Sequence, residues 1–488
     1  MLTPLSANPK QLTEFFREAG FTHEQFQKNP TLRDLPSRRL GNLPDLLERT
    51  SEHTALHVLL RWFFLGVPLE SESIAGLVPA PVVAQLLETG MLVRDGGRLT
   101  PKVMLTPCEG FLFAADPAGT LESPESSAMA LWPNQSTRLL QMFTIRRPSG
   151  ATLDLGAGCG ILAVLASGHS RQAVATDLNP RATEFARFNV WLNGVTNVEC
   201  LTGDTFKPVE GRTFDLIMSN PPFFVTPSTG QIYCENSMEL DGYCRDLIRA
   251  APRYLNEGGF LQMTLEWVQV SGQSWQDRLN EWLEHTGCDA WVLRSFVRSG
   301  AAYAAERIGT MMPYSPLTAN QVFDEWMAYY RARGVEEIHG GILVMRRRSG
   351  QNWIRIENVN GLECAEPFGE AIVELFANHD RLASDRSADQ MMAWKPRLPS
   401  DVRIDQQLHL EGGEWKPSSM QLRRPGTLPS FLALDPQVAD FLRRCDGTRT
   451  LGDLGRDLAA EVKVDPEQVC RQCCAVMRKL VERRLVLV

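Results

Sequence analysis

One short stretch, residues 151–160 with the sequence ATLDLGAGCG, limits most strongly how this chain can fold. Its apolar run Thr152–Leu155 is long enough for a buried strand, and an apolar helical pattern follows Gly156, Gly158 and Gly160. A strand, a glycine turn and a helix in that order bring backbone N–H groups and a helix N-terminus close to a bound ligand. The stretch therefore predicts an α/β sheet with a ligand at this turn.

A second predicted strand, residues 173–176, ends in Asp177. An acidic residue about 20 positions after a glycine turn can accept hydrogen bonds from ribose hydroxyls, as in dinucleotide sites. Two departures argue against a dinucleotide here. The glycines are spaced G-x-G-x-G rather than G-x-G-x-x-G, and Asp154 stands two residues before the first of them.

Four motifs follow one another in the order typical of one family: DLGAGCG, TDLNP, Gly203-Asp204 and SNPPF. With SNPPF at the end of the predicted strand Phe214–Met218, the chain resembles the class I S-adenosylmethionine (SAM) methyltransferases that carry an Asn-Pro-Pro-aromatic motif. Members of that family methylate planar nitrogens, namely the exocyclic amines of nucleobases and the side-chain amide of glutamine. The resemblance covers Leu131–Arg348 and implies SAM as cofactor and an α/β, doubly wound, seven-stranded Rossmann-like sheet.

The resemblance also implies which residues form the site. The cofactor-binding group is Asp154, Gly156, Gly158, Gly160, Asp177, Leu178, Asp204 and Asn220. The group that holds the acceptor nitrogen is Asn220, Pro221 and Phe223. Asp154 and the glycines would hold the methionine part of SAM, Asp177 the ribose and Asp204 the adenine. Leu178 and Phe206 either pack on the adenine ring or belong to the core.

The acceptor motif has a chemical rationale. An amide or aniline-like nitrogen is a poor nucleophile, because its lone pair is delocalised. The side-chain oxygen of Asn220 and the carbonyl of Pro221 can bind both N–H protons, which orients the lone pair towards the methyl group. Phe223 offers a flat face on which a base or amide plane can stack.

Composition sets broad limits on the 488 residues. The hydrophobic content of 43% and the charged content of 22% are ordinary for a globular protein of several domains. A net charge of −8 disfavours a surface that binds polyanions everywhere, although it leaves room for a local basic groove. We expect a cytoplasmic protein with reduced cysteines and no membrane association, since no signal sequence or spanning segment is evident.

The segments before the first sheet strand predict an N-terminal domain over residues 1–120. Leu43–Leu99 has the order helix, helix, helix, wing, which fits either a nucleic-acid or substrate docking module or a helical cap. The absence of Lys and Arg from Val78–Leu92 favours the cap. Lys102–Ala115 is predicted to be extended and Gly119–Ser127 to be a linker or gate.

Several later segments leave two interpretations open. Asn134 and Ser136 lie where relatives place residues near the methionine end of SAM, but a helix N-cap is favoured. Ser299–Val335, rich in aromatic residues, is a substrate lid or a helical pair packed on the sheet. Arg346–Arg348 is an anion contact or a solvated strand end, and the latter is the commoner case.

The last predicted domain spans residues 428–488, after a methyltransferase domain at 131–348. Its DGTRTLGDL segment resembles the small winged-helix domain of the peptide carrier in pyrroloquinoline-quinone biosynthesis, which binds peptides. Cys470, Cys473 and Cys474 lack a second Cys or His pair at ligand spacing, so we interpret them as packed thiols and predict no metal site.

Three functions remain open at this point. The first is methylation of an amide or amine in a protein or peptide, which the tail Phe224–Pro227 and the peptide-carrier resemblance favour. This tail looks most like that of the release-factor glutamine methyltransferases, although those enzymes carry tyrosine where Phe223 stands. The second is methylation of an exocyclic amine in RNA or DNA. The third is SAM binding without catalysis, against which the intact SNPPF argues.

Overall fold

The computed structural model describes residues 2–5, 9–28, 43–117, 129–130, 134–227, 236–311, 316–359, 367–385, 387–424 and 431–488. Contacts divide the chain into two compact units: Met1–Gln141 with Pro148–Leu362, and Met142–Arg147 with Glu363–Val488. The predicted domain limits at residues 120, 131 and 428 and the predicted linker lie outside the described residues, so the three-domain division stays a prediction. None of the helices in these ranges is both long and apolar enough to cross a bilayer.

The helices, in chain order, are α1 (Lys10–Glu18), α2 (His23–Lys28), α3 (Leu43–Arg49), α4 (Ala55–Phe63), α5 (Ala80–Glu88), α6 (Gln135–Phe143), α7 (Ile161–Ala166), α8 (Pro180–Leu192), α9 (Gly242–Ala250), α10 (Trp275–Leu283), α11 (Gly300–Met311), α12 (Pro316–Ala332), α13 (Gly369–Ser384), α14 (Ala388–Met392), α15 (Pro436–Arg443), α16 (Leu451–Val462) and α17 (Pro466–Glu482).

The strands are β1 (Leu69–Glu70), β2 (Leu92–Asp95), β3 (Arg98–Pro101), β4 (Met104–Cys108), β5 (Phe111–Ala115), β6 (Ser149–Leu155), β7 (Ser170–Asp177), β8 (Val198–Thr202), β9 (Phe214–Ser219), β10 (Leu255–Val270), β11 (Cys288–Ser299), β12 (Val335–Arg347), β13 (Ile354–Asn358), β14 (Arg403–Glu411), β15 (Glu414–Arg423) and β16 (Phe431–Ala433).

The main sheet has the strand order β13-β11-β12-β10-β9-β6-β7-β8. Strands β6 to β10 pair in parallel, and β12 runs antiparallel to both β10 and β11. The predicted α/β, doubly wound, mostly parallel sheet is confirmed. It has an eighth strand beyond the predicted seven, because β13 pairs in parallel with β11 and packs Ile354 and Ile356 against the core.

The parallel strands bring the motifs to one edge of the sheet. Leu155 at the end of β6 pairs with Thr176 of β7 on one side and with Ser219 of β9 on the other. The loops that follow these three residues carry the glycines, Asp177 and Asn220. They therefore converge at the carboxyl ends of the strands, where open α/β sheets bind ligands.

The segment predicted as one extended stretch, Lys102–Ala115, is instead the hairpin β4–β5. It reverses at Glu109-Gly110, where both residues have positive φ. The backbone N–H and carbonyl groups of β5 at Leu112 and Ala114 are bonded by side chains from α8 and from the residue just after it, rather than by another strand. The Asn189 amide bonds both the N–H and the carbonyl of Ala114, and the Asn193 amide does the same for Leu112. This long-range pairing leaves no local trace in the sequence.

The second unit has its own core, built from helices α13 to α17 and the sheet β14-β15-β16. Leu382 and Leu422 share this core with Leu451 and Leu480, so the compact unit begins before residue 428. Cys473 and Cys474 on α17 are buried in it as free thiols.

A buried histidine lies in the main sheet. His339 of β12 has no exposed surface and packs against the rings of Trp267 and Trp275, whose centroids are 5.7 and 5.2 Å away. Its Nδ1 lies 3.2 Å from the Arg294 guanidinium. Burial, with a smaller contribution from Arg294, lowers the pKa of His339 from its ordinary 6.5 to about 4.

This histidine predicts a loss of stability in acid. In the unfolded chain this histidine is protonated below about pH 6.5, whereas in the folded protein it stays neutral down to about pH 4. The unfolded state therefore binds more protons between these pH values, and the free energy of unfolding falls as the pH is lowered, by up to about 3 kcal/mol. We expect His339→Gln to flatten this slope in urea titrations between pH 4 and 7, whereas the exposed control His409→Gln should not. Equal slopes in wild type and His339→Gln would contradict the assignment.

Candidate functional site

The loop between β6 and α7 needs its glycines for conformational reasons. Gly156, Gly158 and Gly160 have φ values of 72°, 55° and 79°, a region that side chains disfavour. At Gly160 a Cβ would also lie only 2.9 Å from the Cβ of Ala186 on α8. The chain can therefore turn tightly here, and the first residues of α7, Ile161 and Leu162, line the cavity described below.

The buried Asp154 bonds the helix that follows this loop. Its carboxylate is 1% exposed and accepts the Ala163 N–H at 2.9 Å, within the first turn of α7. Burial raises the pKa of Asp154 to about 7, partly offset by that hydrogen bond. Asp154 lines the cavity described below, and its contact with the methionine part of the cofactor stays a prediction.

Asp177 joins the end of β7 to the glycine loop. One carboxylate oxygen accepts the Gly158 N–H at 2.8 Å, and the other accepts the Asn179 N–H, also at 2.8 Å. Burial raises the pKa of this carboxyl, against the effect of both hydrogen bonds. Each oxygen keeps a further lone pair, so both can still accept a ribose hydroxyl.

Asp204 and Leu178 also line the cavity. Asp204 bonds the Lys207 ammonium at 2.8 Å, and the hydrogen bonds from Lys207 and Thr205 lower its pKa. Leu178 is 57% exposed, and its packing on the adenine ring stays a prediction. Phe206 is buried and stacks on Tyr254 with centroids 4.2 Å apart, which supports the core alternative for it.

Asn220 faces the same cavity from the end of β9. Its Oδ1 accepts the Thr264 hydroxyl at 2.6 Å, and its Nδ2 donates to Thr137 Oγ1 at 3.0 Å. Asn134 accepts the Thr137 N–H at 2.9 Å and so caps α6, as the favoured interpretation of that residue requires. A motif asparagine and a helix start thus meet at the cavity wall.

The other two predicted acceptor residues lie differently. Pro221 is buried, and Phe223 is half-buried, packed against the core and beside Phe224 with ring centroids 5.7 Å apart. The cavity is lined by Pro222 instead, whose carbonyl accepts Asn236 Nδ2 at 2.7 Å. Of the motif residues predicted to hold the acceptor, the structure therefore brings Asn220 to the cavity.

The cavity has a volume of about 370 Å³, within the range of small-molecule sites. It runs from the glycine loop and Asp177 to Asn220 and Asn134. Several lining residues lie outside the motifs that sequence reasoning used, among them Met129, Asn236, Ser237, Met238 and Tyr243. Among these, Tyr243 of α9 sits in a largely buried place that strongly raises its pKa, so its hydroxyl stays protonated.

The aromatic insertion after β11 is the helical pair α11–α12, packed on the sheet. Tyr330 donates to the Val225 carbonyl at 2.6 Å, and Tyr303 accepts the Val225 N–H at 3.3 Å. Tyr303 also donates to the buried Glu266, which pairs with Arg307. The pair thus anchors the segment that follows SNPPF, which favours the packed alternative over the lid.

The arginine triplet after β12 is engaged within the protein. Arg346 pairs with the buried Asp289 at 2.6 Å, and Arg347 donates to the Pro252 carbonyl. Arg348 lies 3.8 Å from the same Asp289. Neither the anion contact nor the solvated strand end describes these residues, because Asp289 and the Pro252 carbonyl hold them within the protein.

Two family models match this chain. The model described as "Methyltransferase small domain" matches residues 133–286, and "Coenzyme PQQ synthesis protein D (PqqD)" matches residues 420–486. The first match contains the glycine loop, Asp177, Asp204 and Asn220. The second falls in the C-terminal unit, where the resemblance to a peptide carrier was predicted.

Curated relatives include enzymes with two kinds of substrate. The chain is 32% identical over 150 residues to a release factor glutamine methyltransferase of Geobacter sulfurreducens (28% of this chain, 52% of the relative). It is 33% identical over 194 residues to the enzyme of that name from Xylella fastidiosa (36% and 68%). A ribosomal RNA small subunit methyltransferase C of Salmonella choleraesuis is 37% identical over 116 residues (23% and 30%).

The chain thus spans about half of the Geobacter relative and a third of the Salmonella one, but two thirds of the Xylella enzyme. The mostly parallel, doubly wound topology of the sheet agrees with the family match. Together they show that the chain is a SAM-dependent methyltransferase of the methyltransferase small domain family.

Proposed function

We propose that this enzyme transfers the methyl group of SAM to a planar amide nitrogen of a protein or peptide, of the glutamine type. When bound, SAM supplies an electrophilic methyl group. Asp154 and the glycine loop would hold its methionine part, Asp177 its ribose and Asp204 its adenine. Asn220 would accept an N–H of the acceptor and so orient the nitrogen, an effect of positioning and preorganised polarity.

The charge of the cavity is the observation that carries the choice of acceptor. Among the described residues that line it, none is Lys or Arg, and the acidic ones, Asp154, Asp177 and Asp204, are those assigned to SAM. Nucleic-acid ligands draw most of their affinity from cationic contacts to phosphates. A neutral amide on a polypeptide does not need such cationic contacts.

Two further observations support a polypeptide acceptor. The Geobacter and Xylella relatives are release factor glutamine methyltransferases by name. The C-terminal residues match a family that the sequence resemblance associates with peptide binding. We place this activity in the cytoplasm, consistent with free thiols at the nine cysteines among the described residues.

Methylation of an exocyclic amine in RNA is the second candidate. The identity to the ribosomal RNA methyltransferase of Salmonella, 37% over 116 residues, favours it. So does the order of α3, α4, α5 and the hairpin β2–β3, which is that of a winged helix. The winged-helix assignment itself remains a prediction.

A labelling experiment separates the two candidates. The enzyme is incubated with methyl-labelled SAM and a cell lysate, and the product is divided for nuclease or protease digestion. We expect protease to release the label as methylated glutamine or a related amide, with nuclease leaving it in the large fraction. Label recovered in a methylated nucleoside, with none on protein, would reject the polypeptide acceptor and favour RNA or DNA.

A further inference from the structure

Two threonine hydroxyls hold the side-chain amide of Asn220 from opposite sides. Thr264, on β10, donates to Asn220 Oδ1 at 2.6 Å, and Thr137, on α6, accepts from Asn220 Nδ2 at 3.0 Å. Thr264 is only 3% exposed, so water hardly competes for its hydroxyl. Both contacts act on the one side chain that the motif assigns to the acceptor nitrogen.

The helix cap sets the direction of these hydrogen bonds. The backbone N–H of Thr137 donates to Asn134 Oδ1 at 2.9 Å, which identifies that atom as the amide oxygen of an N-cap. The Thr137 hydroxyl donates to the same oxygen at 3.0 Å, so its lone pairs are left to accept from Asn220. Asn220 therefore turns its nitrogen towards α6 and its oxygen towards β10.

A fixed amide orientation matters for the chemistry. The terminal torsion of asparagine is broad and roughly two-fold, so a free side chain would also present its NH₂ group to the acceptor. In that orientation the NH₂ group of Asn220 would face the N–H of the acceptor, so two hydrogen-bond donors would meet. Thr264 occupies one lone pair of Oδ1 and leaves the second for an incoming N–H, which then meets an acceptor that needs no reorganisation.

We propose that Thr264 and Thr137 are positioning residues that fix the Asn220 amide with its oxygen ready to accept from the nitrogen that is methylated. This inference rests on the proposed transfer to a planar nitrogen and requires that this nitrogen carry at least one N–H. Thr137 itself lines the cavity, so the orienting contact lies beside the place of transfer.

The first test needs no acceptor. In protein labelled with ¹⁵N-asparagine, the Asn220 side-chain signal is identified by its loss in Asn220→Asp, and its exchange with water is measured. We expect Thr264→Val to speed this exchange roughly 10-fold or more, because an amide released at Oδ1 can turn its NH₂ group away from Thr137 and lose the hydrogen bond that protects it. Thr264→Ser should restore the protection. The control is Thr152→Val, a buried strand threonine whose hydroxyl lies 2.7 Å from that of Ser170; it should change nothing.

The second test measures methyl transfer from labelled SAM into a lysate. Thr264→Val should lower the transfer rate roughly 10- to 100-fold, the scale for a misplaced catalytic contact, with a SAM Kd within about twofold of wild type. Thr264→Ser should recover most of the rate, which a role in packing alone would not predict.

Unchanged exchange in Thr264→Val, or faster exchange with unchanged transfer, would overturn the proposal, because the hydroxyl would then not fix the amide or its orientation would not matter. A wild-type enzyme that labels neither protein nor nucleic acid would count against the proposed function instead. In that case the amide exchange alone still decides whether Thr264 holds the Asn220 amide.

Discussion

Asn220→Ala is expected to lower the methyl-transfer rate by about two orders of magnitude or more, the scale for losing one preorganised polar contact. The variant removes the amide that Thr264 and Thr137 hold at the cavity wall. SAM affinity should stay near that of wild type, because the cofactor contacts assigned to the glycine loop, Asp177 and Asp204 remain. Single-turnover transfer and calorimetry with SAM measure the two effects separately.

A matched control for this variant is Asn352→Ala. Asn352 is half-buried like Asn220 and donates to the Arg348 carbonyl at 2.9 Å, but it lies between β12 and β13 and does not line the cavity. Its loss should leave the transfer rate unchanged. If Asn220→Ala transfers methyl groups as fast as this control, SNPPF is not the acceptor site.

Asp177→Ala should have the second large effect, on cofactor binding. The variant loses the acceptor proposed for the ribose hydroxyls and also the bonds from the Gly158 and Asn179 N–H groups. We expect SAM affinity to fall by about 1.5–3 kcal/mol, the range for breaking hydrogen bonds to a charged group. Calorimetry on folded protein, checked by circular dichroism, measures this loss.

Asp204→Ala provides the comparison. Its carboxylate is half-exposed and already paired with Lys207, so solvent screens it and its removal should weaken SAM binding less than Asp177→Ala does. An unchanged SAM affinity in Asp177→Ala would remove the ribose assignment. A larger loss of SAM affinity in Asp204→Ala than in Asp177→Ala would mean that Asp204 contributes more to SAM binding than Asp177.

The sequence allowed prediction of those parts of the site that local backbone rules determine. Positive φ at Gly156, Gly158 and Gly160 favours glycine at those positions, and the parallel strands end at one edge of the sheet. Asp177 ends β7 and Asn220 directly follows β9, so their meeting at one cavity follows from the fold class.

Other features depend on contacts between distant segments, which leave no local pattern. The hairpin β4–β5 is fixed by Asn189 and Asn193, about 80 residues further along the chain. The buried Asp289 pairs with Arg346 and lies near Arg348. Tyr303 and Tyr330 bond Val225 from an insertion that resembled a lid as much as a helical pair. Such partners become visible only once the sheet brings them together.

The most direct test of the account is a crystal structure with S-adenosylhomocysteine, because it needs no knowledge of the acceptor. We predict the homocysteine part against the glycine loop, the ribose hydroxyls on Asp177 and the sulfur directed towards Asn220. A ligand whose sulfur points away from Asn220, or which binds outside this cavity, would contradict methyl transfer at the Asn-Pro-Pro-Phe motif.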